Sequence, residues 1–368
     1  MIFVSNKYIC PKIEIETSVL INVLKSINTN NFDFLRVVFA LTVALAHLIE
    51  LSQVEAFQTF VPLFNTRLAI DGFFVISGFL IAKSYELNKN FKAYVTKRVK
   101  RIVPAYFFVI LLCAVFFSLI SRYPLSEYFF STQFWRYLVA NLTFQNYIEP
   151  CLPGVFEGNS VCAINGALWT IKIEEAFYLL LPVFYYIIDK KKVNIYVLSI
   201  VIYMSSIVYF NYFIHLDLYR IAKQLPGALA FFVMGIIFYR NFSLLLKWKH
   251  YIIIPCLIFF CAEQYVFSSH ILKPMTYGFM VFYAAYSFKW LNNFGKYGDF
   301  TYGIYIYHFP LIQIFVHHNL FNRYNYVMIS VLVLFLVFLA SILSWYLLEL
   351  RYLSENRKSR YRKLYRRT

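Results

Sequence analysis

The amino-acid sequence predicts an all-α polytopic membrane protein with about ten transmembrane helices and both termini in the cytoplasm. Hydrophobic residues make up 61% of its 368 residues, and charged residues make up only 14%. Soluble domains have roughly 45–50% hydrophobic and about 25% charged residues, because their surfaces need a polar shell. The same hydrophobicity excludes a disordered chain. The apolar runs are about 20 residues long, which fits spanning helices, whereas a transmembrane barrel shows short alternating segments.

Ten apolar windows of roughly span length follow one another without a repeat or a Ser/Gly-rich linker. They cover residues 34–52, 68–86, 102–121, 168–188, 193–213, 224–239, 251–267, 274–289, 300–319 and 326–348. The windows between 224 and 289 are short and are joined by small loops. The sequence therefore predicts three parts, a cytoplasmic N-terminal segment (1–31), one membrane domain (32–348) and a basic cytoplasmic tail (349–368).

Basic residues are distributed unevenly among the segments that join these windows. Lys and Arg number 35 against 18 Asp and Glu, a formal net charge of +17. With the N-terminus inside, most basic residues fall on the inside, as is usual for cytoplasmic segments of membrane proteins. The outside segments hold Arg67, Arg122, Arg136, Arg220, Lys223, Lys273 and Arg323. This asymmetry predicts cytoplasmic termini, and we expect the tail RKSRYRKLYRR to be solvated or bound to lipid headgroups rather than to nucleic acid.

The six cysteines form no CxxC motif and no Cys/His spacing typical of a zinc site, so no metal centre is predicted. Cys151 and Cys162 lie eleven residues apart in the longest outside segment, 122–167. An exported segment enters an oxidising compartment, where disulfides persist. A disulfide between these two residues and a pair of free thiols are the two alternatives.

The first window carries ionisable residues, which are costly in a bilayer and mark candidate functional sites. Arg36 and His47 are eleven residues apart, which is three helical turns plus about 20°, so they share one face roughly 16 Å apart. Arg36 then lies near the cytoplasmic surface and His47 in the outer half. Glu50, three residues after His47, is placed to contact its ring. The alternative is that Arg36 extends to headgroups and His47 is a packing residue.

The second window begins with Asp71 and Gly72 at its outer end, at the depth expected for His47. Asp71 is therefore a candidate partner of that histidine, or else an N-terminal helix cap. Gly72 and Gly78 allow a helix or a ligand to approach closely, and for Gly78 we expect helix packing.

Four basic residues fall in KRVKRIVPAYFF, an inside loop just before the third window. Arg98 and Arg101 are one helical turn apart, and with Lys97 and Lys100 they form a compact cationic site at the membrane surface. The simpler interpretation is an anchor of the positive-inside type. The alternative is a phosphate site, because the guanidinium fork matches phosphate geometry.

Charged residues recur in the fourth and ninth windows. Lys172, Glu174 and Glu175 fall in the first two turns of the fourth. Adjacent residues point about 100° apart, so one glutamate faces a polar interior while the other can pair with Lys172. The ninth window places His308 near mid-membrane, beside Tyr305, as a functional group or as a hydrogen-bonded core residue.

Together these residues form a directional pattern, with arginines on the inner side and His47, Glu50, Asp71 and Glu174 in the outer half. The pattern suits a long anionic donor whose phosphates stay in the cytoplasm while its reactive end extends toward the outer face.

The sequence resembles the acyltransferase-3 family of integral membrane O-acyltransferases. The matching segments occur in the family's order and cover most of residues 32–312, and they are FDFLRVVFALTVALAH, DGFFVISGFLI, KRVKRIVPAYFF, LPGVFEGN, INGALWTIKIEEAFYLLLP and GDFTYGIYIYHFPLI. Each motif is weak alone, but the ordered set is specific. Two positions depart from the family pattern, Ala167 where a serine is usual and Tyr307 where a tryptophan is frequent.

The resemblance implies a fold of about ten helices and transfer of an acyl group, usually acetyl, from cytoplasmic acetyl-CoA (acyl-CoA). The acyl-CoA is a co-substrate rather than a permanently bound cofactor. The implied acceptor is a hydroxyl of a cell-surface or lipid-linked glycan, such as a polysaccharide or lipopolysaccharide, and the implied location is a bacterial inner membrane. No feature of the sequence indicates an oligomeric state.

The resemblance also implies residue roles. His47 corresponds to the catalytic histidine, Arg36 and Glu174 to functional residues of the pore, and Arg98 and Arg101 to the cytoplasmic pair tied to CoA, with Lys97 beside them.

The chemistry of the side chains agrees with this reaction. A histidine with a pKa near its usual value of about 6.5 suits the base that deprotonates an acceptor hydroxyl. Glu50, Asp71 or Glu174 could hold the tautomer of His47, as the acid of a catalytic triad does. His308 or a backbone amide is then expected near the oxyanion. Direct transfer and a transient acyl-His47 both remain open.

Two other functional classes share the span count and the basic inner face. A transporter or flippase for a glycan or a lipid-linked sugar would often show internal repeats and paired broken helices, and neither is seen here. A glycan polymerase would predict a large outside loop rich in basic residues. The segment 122–167 contains only Arg122 and Arg136.

Overall fold

The computed structural model describes residues 26–267, 269–292 and 294–353. Within these ranges the chain is helical and contains no strand. Most of the predicted N-terminal segment (1–25) and of the predicted basic tail (354–368) lies outside the described residues, and the division into three parts stays a prediction.

Fifteen α-helices occur in the described part of the chain. They are α1 (Phe32–Ser52), α2 (Thr66–Glu86), α3 (Phe91–Phe116), α4 (Leu125–Phe130), α5 (Thr132–Leu142), α6 (Trp169–Lys191), α7 (Ile195–His215), α8 (Tyr219–Ala222), α9 (Leu225–Arg240), α10 (Phe242–Ala262), α11 (Lys273–Ser287), α12 (Thr301–His317), α13 (Leu320–Arg323), α14 (Tyr326–Ser344) and α15 (Leu350–Tyr352). Short 3₁₀ or π segments join or extend them at Glu55–Leu63, Phe117–Ile120, Gly166–Leu168, Glu263–Phe267, Lys289–Leu291, Phe294–Lys296 and Trp345–Glu349.

Each of the ten predicted windows overlaps one long helix, but two of these helices begin well before their windows. Helix α3 begins at Phe91 because Asn90 caps it, its side chain accepting a hydrogen bond from the Ala93 N–H at 3.0 Å. Residues 97–101, predicted as an inside loop before the third window, are therefore helical. Basic side chains can be accommodated there because long stems pack on apolar surface while the charged ends reach water.

Among the described residues, seven helical segments are long and apolar enough to cross a membrane, so the chain is a multi-pass integral membrane protein. They are Ser26–Ser52, Glu55–Glu86, Phe91–Ile120, Ile195–His215, Tyr219–Arg240, Phe242–Val266 and Tyr326–Tyr352. Of the other long helices, α11 and α12 have only 15 and 17 residues, and α6 carries three charges near its start. The count of ten spans and the cytoplasmic location of the termini stay predictions.

Helix α12 packs on α1 and α14, and α2 packs on α9. The crossing of α2 and α9 is close because glycines meet there. A Cβ at Gly78 would overlap the carbonyl oxygen of Phe232, and one at Gly235 would overlap that of Val75. Small residues permit such contacts between membrane helices, so Gly78 has the packing role expected from the sequence.

Candidate active site

Two histidines from distant parts of the chain meet inside the bundle. Nδ1 of His47 on α1 lies 2.8 Å from Nε2 of His308 on α12. The two ring planes are within 8° of parallel, and their centroids are 5.1 Å apart. His308 is fully buried, whereas His47 is partly accessible. His308 is therefore enclosed by protein, whereas His47 is the ring that a substrate can approach.

The hydrogen bonds of this pair define its tautomers. Nδ1 of His308 lies 3.0 Å from the carbonyl oxygen of Ile304, one turn earlier in α12. A carbonyl can only accept, so this nitrogen of His308 carries the proton. With both rings neutral, Nε2 of His308 must then accept from Nδ1 of His47. That leaves Nε2 of His47 with a free lone pair, as a general base requires.

The segment before α6 is held against α12 on either side of His308. The side chain of Asn165 donates to the carbonyl oxygen of Ile306 at 2.8 Å. The buried side chain of Gln313 donates to the carbonyl oxygens of Val161 and Ala163 at 2.7 and 2.8 Å. These contacts position the backbone that carries His308. Gln313 was not singled out in the sequence, although a glutamine within an apolar span is itself a signal.

Cys151 and Cys162 are disulfide-bonded within this same segment, with their Cα atoms 5.4 Å apart. Of the two alternatives left open by the sequence, the structure shows the disulfide. The cross-link closes the turn that precedes Asn165, so it helps to keep the segment folded on α12.

A shared carboxylate joins two of the predicted arginines. Asp299, just before α12, accepts hydrogen bonds from Arg36 at 2.7 Å and from Arg101 at 2.5 Å. All three side chains are at least three-quarters buried. Burial alone would raise the pKa of the Asp299 carboxyl, but the charges of Arg36 and Arg101 and their hydrogen bonds hold its pKa below its ordinary value. The ionised carboxylate thus links α1 to α3.

A narrow cavity of about 60 Å³ leads from Arg36 into the bundle, enough for a few water molecules. Glu174 lines it and accepts hydrogen bonds from Ser77, at 3.4 Å, and from Tyr178. Its opposite wall contains Tyr305, whose hydroxyl is 2.6 Å from that of Thr170. The Tyr305 ring is in turn 5.9 Å from that of His308, centroid to centroid. The polar groups of this cavity therefore extend from Arg36 to Tyr305, whose ring lies beside that of His308.

Basic residues line a larger groove of about 580 Å³ on the neighbouring surface of α3. Its cationic members are Lys92, Lys97, Arg98, Lys100 and Arg101. The guanidinium of Arg98 lies between the rings of Tyr94 and Tyr178, 5.7 and 5.4 Å from their centroids, and its buried Nε has no hydrogen-bond partner among the described residues. The groove brings together every residue predicted to bind the CoA phosphates except Arg36.

Two predicted partners of His47 lie elsewhere. Asp71 pairs with Arg67, 2.9 Å from its Nε, one turn earlier in α2. Glu50 is exposed and interacts with Lys223. The expectation that Glu50, Asp71 or Glu174 orients His47 is corrected, because His308 occupies that position among the described residues. The i, i+4 spacing of Arg67 and Asp71 was a signal for their pairing.

Lys223 and Trp169 were not identified as functional candidates from the sequence. The ammonium group of Lys223 lies 4.4 Å from the centre of the Trp169 ring, at the start of α6. It is also close enough to His47 to interact electrostatically with it.

The chain is thus a helical membrane protein with a histidine pair inside the bundle and a basic groove on the surface of α3. The chain belongs to the acyltransferase-3 family, since the model of that family, described as an acyltransferase domain, matches residues 29–349. An O-acetyl transferase of Shigella phage Sf6 is 26% identical over 341 residues, covering 89% of this chain and 97% of the phage protein. No solved structure matches the chain. The predicted family and the prediction of an O-acetyltransferase are thereby confirmed.

Proposed function

We propose that this enzyme transfers an acetyl group from cytoplasmic acetyl-CoA to a hydroxyl of a cell-surface or lipid-linked glycan, in the inner membrane of a bacterium. The observation that carries the proposal is the hydrogen bond between His47 and His308, which leaves Nε2 of His47 unprotonated. The basic groove and the cavity beside Arg36 support an acyl donor that enters the bundle from the end opposite to that of the acceptor.

The reaction requires two proton transfers, to and from His47, and one acyl transfer. Nε2 of His47 takes the proton of the acceptor hydroxyl as the oxygen attacks the thioester carbonyl, forming a tetrahedral oxyanion. The oxyanion collapses, the C–S bond breaks, and the CoA sulfur leaves with the proton from His47. His308 holds the tautomer of His47 and shares the charge of the transient imidazolium, which is the task that a carboxylate performs in a Ser-His-Asp triad.

The acetyl-CoA site is assigned by charge. Lys97 and Arg98 face an open groove, and the guanidinium fork of Arg98 suits phosphate oxygens. Arg101 also lines this groove but is neutralised by Asp299. We therefore assign the phosphates to Lys97 and Arg98, and a positioning role to Arg36 and Arg101. Glu174 and Tyr178 contribute the polar surface along which the thioester arm would pass.

The test compares membranes that contain the wild-type chain, His47→Ala, or His250→Ala as a matched control. His250 is an exposed histidine on α10 that contacts Tyr283. Labelled acetyl-CoA is supplied, and both CoA release and label in the host's surface glycan are measured. We expect His47→Ala to lose transfer by at least about 100-fold, the usual contribution of a general base, with normal membrane insertion. Transfer at the wild-type rate in His47→Ala would exclude this mechanism.

A further inference from the structure

A second cavity, of about 420 Å³, lies at the end of the bundle that the sequence predicts to be extracytoplasmic. The start of α2 forms one wall, α7 and α9 form another, and α8 and the start of α11 close it. Neither His47 nor His308 lines it. Because the proposed mechanism uses none of its residues, its polar groups need a separate explanation.

Two cationic side chains enter this cavity, Arg67 in an ion pair with Asp71 and Lys273 within electrostatic range of Asp71 and Glu263. Arg67 uses its Nε to bind Asp71, at 2.9 Å, and its guanidinium lies 5.1 Å from the centre of the Phe210 ring. Its buried Nη1 has no hydrogen-bond partner among the described residues. Lys273 is only 7% exposed and no hydrogen bond is found for its ammonium within the described ranges. A buried cation without such a partner is costly, and a bound anion would offset that cost.

The nearby acidic and titratable groups leave these donors available. The carboxylate of Asp71 is engaged by Arg67, and Glu263 accepts hydrogen bonds from the Ser269 hydroxyl and the Leu272 N–H. Burial and the charge of Lys273 lower the pKa of His270 to about 4, so this histidine is neutral at pH 7 and adds no charge. Oδ1 of Asp71 and Oε2 of Glu263 also have no hydrogen-bond partner among the described residues, and the donors that remain for a ligand are Nη1 of Arg67 and the ammonium group of Lys273.

Aromatic rings form much of the remaining wall. Phe64, Phe210, Tyr219 and Phe231 line the cavity around the two cations. A concave site with apolar, aromatic walls and a few convergent polar groups is the usual form of a small-molecule site. A sugar ring that bears an acidic substituent matches both features, because it combines apolar ring faces with one anionic group.

The cavity is connected to the histidine pair through Lys223. The ammonium group of Lys223 lies 5.3 Å from the centre of the Tyr219 ring, which lines the cavity, and 4.4 Å from that of Trp169. It interacts electrostatically with Arg67 on one side and with His47 on the other. Lys223 is therefore within electrostatic range of both the cavity and the base.

We propose that this cavity binds an anionic group of the acceptor, a sugar carboxylate or a phosphate, through Lys273 and Nη1 of Arg67. The proposal rests on the proposed function, since it assigns the acceptor subsite of that reaction. It names the substrate class as an acidic glycan, or a glycan on a phosphate-bearing lipid carrier.

The test uses the full chain purified in detergent, with CoA added to fill the basic groove. Glucuronate, inorganic pyrophosphate and glucose are titrated, and the midpoint of thermal unfolding gives an apparent Kd for each. Wild type is compared with Lys273→Gln, with Lys273→Arg, and with Lys172→Gln as a control at the same end of the bundle. Loss of one charge-assisted hydrogen bond should weaken anion binding about tenfold or more.

We expect at least one of the two anions to bind, and glucose to bind more weakly. Lys273→Gln should raise the Kd of that anion, whereas Lys273→Arg and Lys172→Gln should not. Binding of glucuronate alone indicates an acidic sugar, and binding of pyrophosphate alone indicates a phosphate-linked carrier. Equal affinity for glucose and the anions, no binding of either anion, or an unchanged Kd in Lys273→Gln would overturn the proposal.

The same preparations distinguish a failure of the anion-site proposal from a failure of the proposed function. The shift produced by CoA alone reports on the donor site and on the folding of each variant. If CoA produces no shift and acetyl transfer is not detected, the proposed function fails, but the dependence of anion binding on Lys273 can still be measured.

Discussion

Nδ1 of His47 lies 2.8 Å from Nε2 of His308, although the two residues are 261 positions apart in the chain. In the proposed mechanism His308 orients His47, as a carboxylate does in a catalytic triad. The carbonyl of Ile304 sets the tautomer of His308, and His308 sets that of His47. An uncharged partner suits a site inside a membrane, where an unpaired carboxylate would be far more costly to bury.

Replacing His308 should therefore impair the chemical step rather than donor binding. We expect His308→Gln to lower kcat about 100-fold or more, because the ring of His47 would lose its fixed tautomer, while the KM for acetyl-CoA changes little. The measurement is CoA release as a function of acetyl-CoA concentration. A His308→Gln enzyme with wild-type kcat would show that His47 needs no orienting partner.

Substitutions in the basic groove should change the KM for acetyl-CoA rather than kcat. Arg98→Ala and Lys97→Ala are each expected to raise the KM for acetyl-CoA about tenfold by removing a charge-assisted contact to phosphate, with little change in kcat. Lys190→Ala serves as the control, because Lys190 is an exposed basic residue at the end of α6, outside the groove. An unchanged KM in both groove variants would exclude the assigned phosphate site.

Asp299→Asn should destabilise the fold by about 3 kcal/mol, because it leaves Arg36 and Arg101 as buried cations without their counter-charge. The control is Asp189→Asn, which removes an exposed ion pair with Lys89 and should cost less than about 1 kcal/mol. The thermal unfolding midpoint of both purified variants is the measurement. Equal shifts would mean that the Asp299 pair contributes no more than a surface contact.

The pH dependence of this effect follows from the lowered pKa of Asp299. A carboxyl group whose pKa is lower in the folded than in the unfolded state stabilises the fold at any pH above its unfolded-state pKa of about 3.9. This stabilisation is lost only as the pH falls below that value. The stability difference between wild type and Asp299→Asn should thus be constant from about pH 5.5 to 8. A difference that already shrinks between pH 8 and 6 would contradict the lowered pKa.

Removing the cross-link should loosen the segment that rests on α12. In the chain-entropy description, opening a loop of this length with Cys151→Ser and Cys162→Ser costs about 3 kcal/mol. Cys261→Ser is the control, because Cys261 is exposed and unpaired. Thermal unfolding, together with the kcat of acetyl transfer, checks the prediction. We expect kcat to fall as well, since Asn165 and Gln313 hold this segment beside His308.

The elements that the sequence predicted well are those whose signal is local. A spanning helix satisfies its own backbone hydrogen bonds, so its position follows from the hydropathy of about 20 consecutive residues. The windows at 34–52 and 326–348 accordingly begin within two residues of the first residues of α1 and α14. The windows at 102–121 and 251–267 began too late, because α3 and α10 extend into segments with basic residues, where hydropathy alone gives no signal.

The candidate site was predicted as a set of residues but not as an arrangement. Arg36, His47, Glu174 and His308 were identified because ionisable groups stand out in apolar spans. Asp299 was part of a quoted motif and was still not singled out, since its importance comes from Arg36 and Arg101, on two other helices. Lys223 appeared only as one of a few basic residues in outside segments, and its position near Trp169 and His47 could not be known.

By itself, the sequence determined the class of the protein, its helices and the identity of its ionisable residues, because each of these depends on a short stretch of chain and its transfer from water to lipid. Tertiary structure alone decided which of these residues meet. The pairing of His47 with His308, and of Asp299 with both Arg36 and Arg101, depends on how α1, α3 and α12 pack. Packing is decided by steric fit over whole helix faces, which no local pattern of residues reports.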